Sequence, residues 1–362
     1  MPTPEPPDLR AALEERPKTA WRALLALAAL FIVVYGLQEA ADILLPIVLA
    51  MFISVASMPV LRLLQRFGVP GPLAVLGIVF VIAGILAGLT GIVAGAVASF
   101  TSNIDQYEQP LNLLIVDALR TAEAYGLPVE RTQLLQLFSP DTVVLVLGQT
   151  VGAVVAVASR LVIVLVTVSF ILLEASEIAA KLAAAFGTTA RPDGPFIGVA
   201  GQVQRYLLIK SVVSAVTGLL AGMWCGIFGL EFAVFWGVLA FLANFIPSVG
   251  SIAAAIPPVV LAIVQLGVPE ALGILVGYIA INLAFGNIIE PRLMGRSLGL
   301  SPLVVFLSLV FFGWVWGPVG MLFSVPITVI FKLVLEGSEE TRWIAVLLGS
   351  AREAKEVGDA AS

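Results

Sequence analysis

Histidine is absent from the 362 residues, cysteine occurs once, and Asp, Glu, Lys and Arg together make up only 12% of the chain. Each shortage removes a class of function. Without histidine there is no His-ligated metal site and no Ser/His or Cys/His catalytic pair. Cys225 alone cannot close an intrachain disulfide. No GxxxxGK(S/T) phosphate loop occurs, so no nucleotide-driven engine is recognisable. A soluble globular chain carries about 25% charged residues. This one is 60% hydrophobic, with a mean hydropathy of +1.06, and is therefore expected to be an integral membrane protein.

What is present is a series of apolar runs, at 22–37, 43–60, 72–99, 151–173, 207–228, 232–247, 251–267, 270–289 and 301–335. A spanning helix needs roughly 20 mostly apolar residues, and the last run is long enough for a hairpin. The first follows a Pro-rich polar tail and leads almost directly into the second, so it is expected to be a retained helix and not a cleaved signal. The fold class is all-α, a polytopic helical membrane protein with about eight membrane segments.

Basic residues give the orientation. With a cytoplasmic N-terminus, one crossing per segment and two passes for 301–335, sixteen of the nineteen Lys and Arg residues fall on the cytoplasmic side. Only Arg120 and Arg131 fall outside, and Arg160 lies within or beside a segment. This bias places both termini in the cytoplasm. Outside the membrane, Leu111, Leu114, Ile115, Ala118, Leu119 and Ala122 recur at helical spacing, the pattern of a covering surface helix. The larger cytoplasmic connection, 174–206, has turn signals from Arg191 to Pro195.

Two ridges of small residues predict close helix packing. Gly77, Gly84, Gly88, Gly91 and Gly95 share one face of the third segment, and Ser211, Ser214, Gly218 and Gly222 share a face of 207–228. The hydroxyls of Ser211 and Ser214, with Lys210, also fit the lining of a polar path. Lys210 equally fits a snorkelling role beside Arg205.

The stretch NFIPSVGSIAAAIPP, Asn244 to Pro258, interrupts the apolar pattern. Proline removes a backbone donor, and carbonyls freed in a membrane must be buried in protein or face a wet cavity. Pro247 is expected to set the break and Gly250 to line a cavity at the tip. Asn244, one turn earlier, either satisfies freed backbone or holds a solute. The segment 301–335 turns at GWVWGPVG, which puts Gly313, Gly317 and Gly320 at its tip. The pairs 232–267 and 301–335 are then either two opposed re-entrant hairpins whose tips approach near the midplane, or ordinary pairs of short or kinked spanning helices. Broken segments in opposed halves point to a transporter site. Asn282, Gly286 and Glu290, spaced four apart, share a helical face, with Asn287 slightly to its side. Glu290 is either a proton or cation carrier or the partner of Arg292 or Arg296.

The strings LANFIPSVGSIAAAIPP at 242–258 and GNIIEPRLMGRSLGLSPLVVFLSLVFFGWVWGPVGMLFSVPITVIFK at 286–332, preceded in order by FILLEASE and QRYLLIKS, resemble the autoinducer-2 exporter (AI-2E) family of bacterial inner-membrane transporters. The resemblance covers most of 22–335. It implies export of a small polar solute such as the autoinducer-2 quorum signal, driven by a proton or sodium gradient, with sodium/proton antiport or a small-solute channel as alternatives. It further implies a homo-oligomer, a pentamer, in the lipid bilayer of the bacterial cytoplasmic membrane, with no cofactor, no metal and no nucleic acid. The domain plan is a cytoplasmic tail over 1–21, transmembrane helices over 22–99, an extracytoplasmic helical region over 100–150, a transport region over 151–335 and a cytoplasmic tail over 336–362. No enzyme is expected: with no histidine, no HExxH and no Asp well inside a span, an intramembrane protease lacks its groups.

Overall fold

A helix satisfies its backbone N–H and C=O groups within itself, which makes it the natural solution for a chain surrounded by hydrocarbon. The computed structural model describes residues 9–102, 161–175, 195–247, 249–294, 299–337 and 340–349, together with Gln106, Leu113, Val116 and Arg120. Among these the only strand-like pairing is one isolated bridge, Leu300 with Gly349. The helices are α1 (Leu9–Glu39), α2 (Ala41–Arg66), α3 (Gly71–Ser102), α4 (Leu161–Ala175), α5 (Pro195–Ile227), α6 (Ala233–Ala243), α7 (Val249–Gln265) and α8 (Val268–Asn282). A π-helix, Leu283–Ile289, carries α8 directly into the short α9 (Glu290–Met294), and α10 (Pro302–Glu336) and α11 (Arg342–Leu348) complete the order. Five of the described helices are long and apolar enough to cross a membrane, and shorter apolar ones accompany them. The protein is a multi-pass membrane protein.

Several boundaries differ from expectation. Helix α1 starts at Leu9, inside the expected tail, and α5 starts at Pro195, inside the expected connection 174–206. Polar residues end an apolar run but do not end a helix, whose backbone bonds continue until a cap or breaker intervenes. The surface helix over 111–123 lies almost wholly outside the described residues.

Three apolar clusters hold the helices. The largest joins α5, α6, α7 and α8 through Cys225, Trp236, Ala262, Ile274 and Tyr278, with Val93 of α3 at its edge. A second joins α2, α3 and α4 through Ala50, Ala74, Val75, Val168 and Leu172. A third joins α2, α5 and α10, where Phe52 stacks on Phe323 at 4.7 Å.

The two small-residue ridges behave differently. At the α5–α6 crossing, a Cβ on Gly218 would lie 2.6 Å from the Gly237 carbonyl oxygen, and one on Gly222 would lie 3.2 Å from the Gly237 Cα. Only glycine permits that approach. The α3 ridge makes no such contact: no described atom lies within 4 Å of a Cβ placed on Gly77, Gly84, Gly88, Gly91 or Gly95. Helix α3 packs instead through Ala74, Val75, Ile78 and Val93, whose side chains supply the dispersion contacts that a glycine face lacks.

Both broken segments are hairpins. The first is α6 and α7, 11 and 17 residues long, or about 17 and 26 Å at 1.5 Å per residue, against a hydrocarbon layer of about 30 Å. Its base is closed by Gln265, whose Oε1 accepts from the Glu231 amide at 3.1 Å. The second lies inside α10, where Gly317 takes φ 64° and ψ −150° and reverses the chain. Gly313 then faces Met321 and Gly320 faces Phe312, contacts that a straight helix would hold about 12 Å apart. The Lys332 ammonium donates to the Gly299 carbonyl at 2.9 Å, which shows that the two arms start and finish at the same level.

A turn exposes donors and acceptors that need partners, and different helices supply them. At the first tip Asn244 Nδ2 donates to Ser214 Oγ of α5 at 2.9 Å. At the second, Trp316 Nε1 donates to the Leu37 carbonyl of α1 at 2.9 Å.

Candidate functional site

The break between α6 and α7 has a local cause. Helix α6 ends at Ala243, and Asn244 to Pro247 form turns whose amides bond back one turn, Phe245 to the Leu242 carbonyl and Ile246 to that of Ala243. Pro247 has no amide to extend the helix. Helix α7 then restarts at Val249, and Gly250 allows this: a Cβ there would collide with the Ala243 carbonyl oxygen and lie 3.0 Å from the Ile246 Cβ. Gly250 is buried in this close approach and does not line the cavity. That departs from expectation, because the return of α7 against the end of α6 occupies its open side.

Beside the break is a cavity of about 630 Å³. One end is polar, formed by Lys210 of α5, Asn244 and Pro247 of the tip, and Asn282, Asn287 and Glu290 of the long helix. The other is aliphatic, with Ala255, Val259 and Val260 of α7 facing Leu275 and Ile279 of α8. Tyr278 and Ser251 stand between them. Asn282 Nδ2 donates toward the Ser251 carbonyl at 3.5 Å, which ties α8 to the first turn of α7.

The π-helix lies along this wall. Pro291 has no amide, and its ring would crowd the carbonyl four residues earlier. The wider turn relieves this, with the Glu290 amide bonding to the Phe285 carbonyl. Single π-turns inside α-helices often accompany function. Here the turn presents Asn282, Gly286, Asn287 and Glu290 to one cavity.

The polar end is anchored by an ion pair. Lys210 Nζ and Glu290 Oε1 are 2.6 Å apart, with side chains 5% and 15% exposed. Lys210 therefore does not snorkel beside Arg205. Arg292 is exposed, and Arg296 is outside the described residues. Partnering across helices removes both charges from lipid, whereas a lysine reaching for an interface removes only one.

Of the other expected residues, Ser214 is buried behind the cavity as the partner of Asn244, and Ser211 is half-buried outside the lining. Gly313, Gly317 and Gly320 form the second tip, away from this cavity. Sequence reasoning missed Ser251 and Tyr278. Ser251 stands in the interrupted stretch itself, and Tyr278 precedes Asn282 by four residues on its face. Among the described residues no group of His, Cys, Asp or Glu is arranged to hold a metal.

Comparison with known proteins comes to the same chain segments. The AI-2E family transporter model matches residues 23–339. The chain is 37% identical over 327 residues to the AI-2 transport protein TqsA of Escherichia coli (strain K12), covering 90% of this chain and 95% of that protein. It is 35% identical over 340 residues to a putative transport protein of Haemophilus influenzae, covering 92% and 98%. Over 343 residues it is 32% identical to the putative transport protein YhhT of Escherichia coli (strain K12), covering 92% and 96%.

Proposed function

The chain belongs to the AI-2E transporter family, and on that premise we propose that it is a secondary transporter that exports a small polar solute, such as autoinducer-2, driven by a proton or sodium gradient. The observation that carries this reading is the convergence of a broken helix, a π-turn and a buried ion pair on one cavity of about 630 Å³. Transporter sites are commonly built where helices are interrupted at depth. The amides of Asn244, Asn282 and Asn287 can each donate and accept, which suits hydroxyl and carbonyl groups. Lys210 and Glu290 already neutralise one another, so the site favours a solute without net charge. Glu290 is the coupling carboxylate for a proton in this reading: protonating it releases the pair and changes the hold of α5 on the long helix.

The same proposal sets the protein in the bacterial cytoplasmic membrane as a homo-oligomer, with both termini and the Lys210–Glu290 end of the cavity on the cytoplasmic side. The positive-inside distribution supports that orientation. The test is autoinducer-2 flux into and out of proteoliposomes under imposed pH and sodium gradients. Saturable, gradient-dependent flux is expected, and Asn282→Ala should raise the half-saturating concentration roughly tenfold, the equivalent of about one lost hydrogen bond. Flux that rises linearly with solute would instead assign a channel, and ion exchange indifferent to any solute would assign an antiporter.

A further inference from the structure

Behind the polar end of the main cavity is a second, smaller space of about 10 Å³. That is about the volume of one water-sized sphere. It lies between α5, the end of α6, the start of α7 and the last turn of α8, and its polar lining is Thr217, Asn244, Ser251, Tyr278 and Asn282. Thr217 is 3% exposed, and its Oγ1 is buried with no hydrogen-bond partner. A threonine within an apolar helix ordinarily bonds its hydroxyl back to the preceding turn, as Thr90, Thr167 and Thr328 do here. Thr217 does not, which leaves an oxygen in the wall of a space large enough for a single small occupant.

We propose that this space is a binding site for one dehydrated monovalent cation, sodium by size, held by the Thr217 hydroxyl and the side-chain oxygens of Asn244 and Asn282. Its role as a coupling ion rests on the transport reading above, but binding itself does not. The chemistry of the wall makes the choice. Asn244 and Asn282 commit their Nδ2 atoms to Ser214 and Ser251, which turns each amide oxygen to other use. Neutral oxygen ligands suit hard cations. No carboxylate lines the space, so nothing offsets the second charge of a divalent ion. The C-terminal end of the 11-residue α6 abuts the space through Ala240 and Asn244, and the negative end of a helix favours a cation. Half-helix C-terminal ends and interrupted backbone hold coupling cations in the same manner elsewhere. The same two asparagines line the main cavity, so an ion in the small space would fix the amides that meet the solute.

The experiment is thermal unfolding of the purified full chain, with sodium chloride exchanged for potassium or choline chloride at constant ionic strength and no solute present. Sodium should raise Tm saturably by about 2 °C or more, as expected for a ligand that binds only the folded state, and potassium should not. Thr217→Val should abolish the sodium response and Thr217→Ser should keep it. Equal Tm in sodium and potassium for the wild type would overturn the proposal and assign the space to a water, whether or not the valine variant folds. A valine variant that responds as the wild type does would overturn it equally. Saturable solute flux without any sodium effect removes the cation site and leaves the transporter. A sodium response without saturable flux does the reverse.

Discussion

A lysine buried to 4% exposure is tolerable only while its carboxylate is present. Glu290→Gln should therefore destabilise the protein by about 3–5 kcal/mol, because it strands the Lys210 charge. The double variant Lys210→Met with Glu290→Gln should recover most of that loss in a thermal-unfolding assay. In liposomes the double variant should still exchange solute but no longer respond to a pH gradient. If it keeps its gradient response, the pair is a structural tie and coupling lies elsewhere. The sequence showed Asn282, Gly286 and Glu290 on one face, since a spacing of four links each helical turn to the next. It could not show that Glu290 meets Lys210, which lies 80 positions earlier. Thr217 was silent for a related reason: whether a threonine bonds back to its own helix is decided by geometry, and its letter in an apolar run is the same either way.

At the scale of elements, glycines divide by what faces them. Gly250→Ala should already disrupt the first hairpin, since the added methyl meets the Ala243 backbone, and Gly317→Leu should disrupt the second, since a side chain at φ 64° and ψ −150° is strained. Both should abolish solute flux. Gly88→Ala in α3 should be neutral or stabilising by up to about 1 kcal/mol, because alanine is the better helix former and meets no described atom. A Tm that falls with Gly88→Ala as far as with Gly250→Ala would show that the α3 ridge is closely packed after all, against a surface these contacts do not include. Proline and glycine patterns made both hairpins legible, because Pro247 and Gly317 act through their own backbone. The separate docking of the tips was not legible, as it depends on Ser214 and Leu37 supplying partners from other helices. Nor was the π-helix. Its cause, Pro291, is a single residue that could equally have ended the helix.

For the whole molecule the distribution of basic residues makes the firmest statement, and it concerns sides. On a Cys225→Ser background, single cysteines at 115–130 should react with an impermeant thiol reagent from outside, and those at 185–195 and 293–300 only from the cytoplasm. Labelling of 293–300 from outside would invert the arrangement. Wild-type Cys225, which is fully buried, should not react from either side. The same end of the molecule holds one more feature. The link between the site helix and the second hairpin is held on one flank by Lys332, at the Gly299 carbonyl, and on the other by the Leu348 carbonyl, which accepts from the Ser301 amide at 3.1 Å. Both fasteners are made later than the segment they fasten. Met294 and Leu300, on either side of this link, also pack against a cluster that includes Phe52 and Val203, which are made earlier. During synthesis, therefore, the packing surface for this stretch exists before the stretch itself, whereas its two polar fasteners are complete only when Lys332 and Leu348 have left the ribosome.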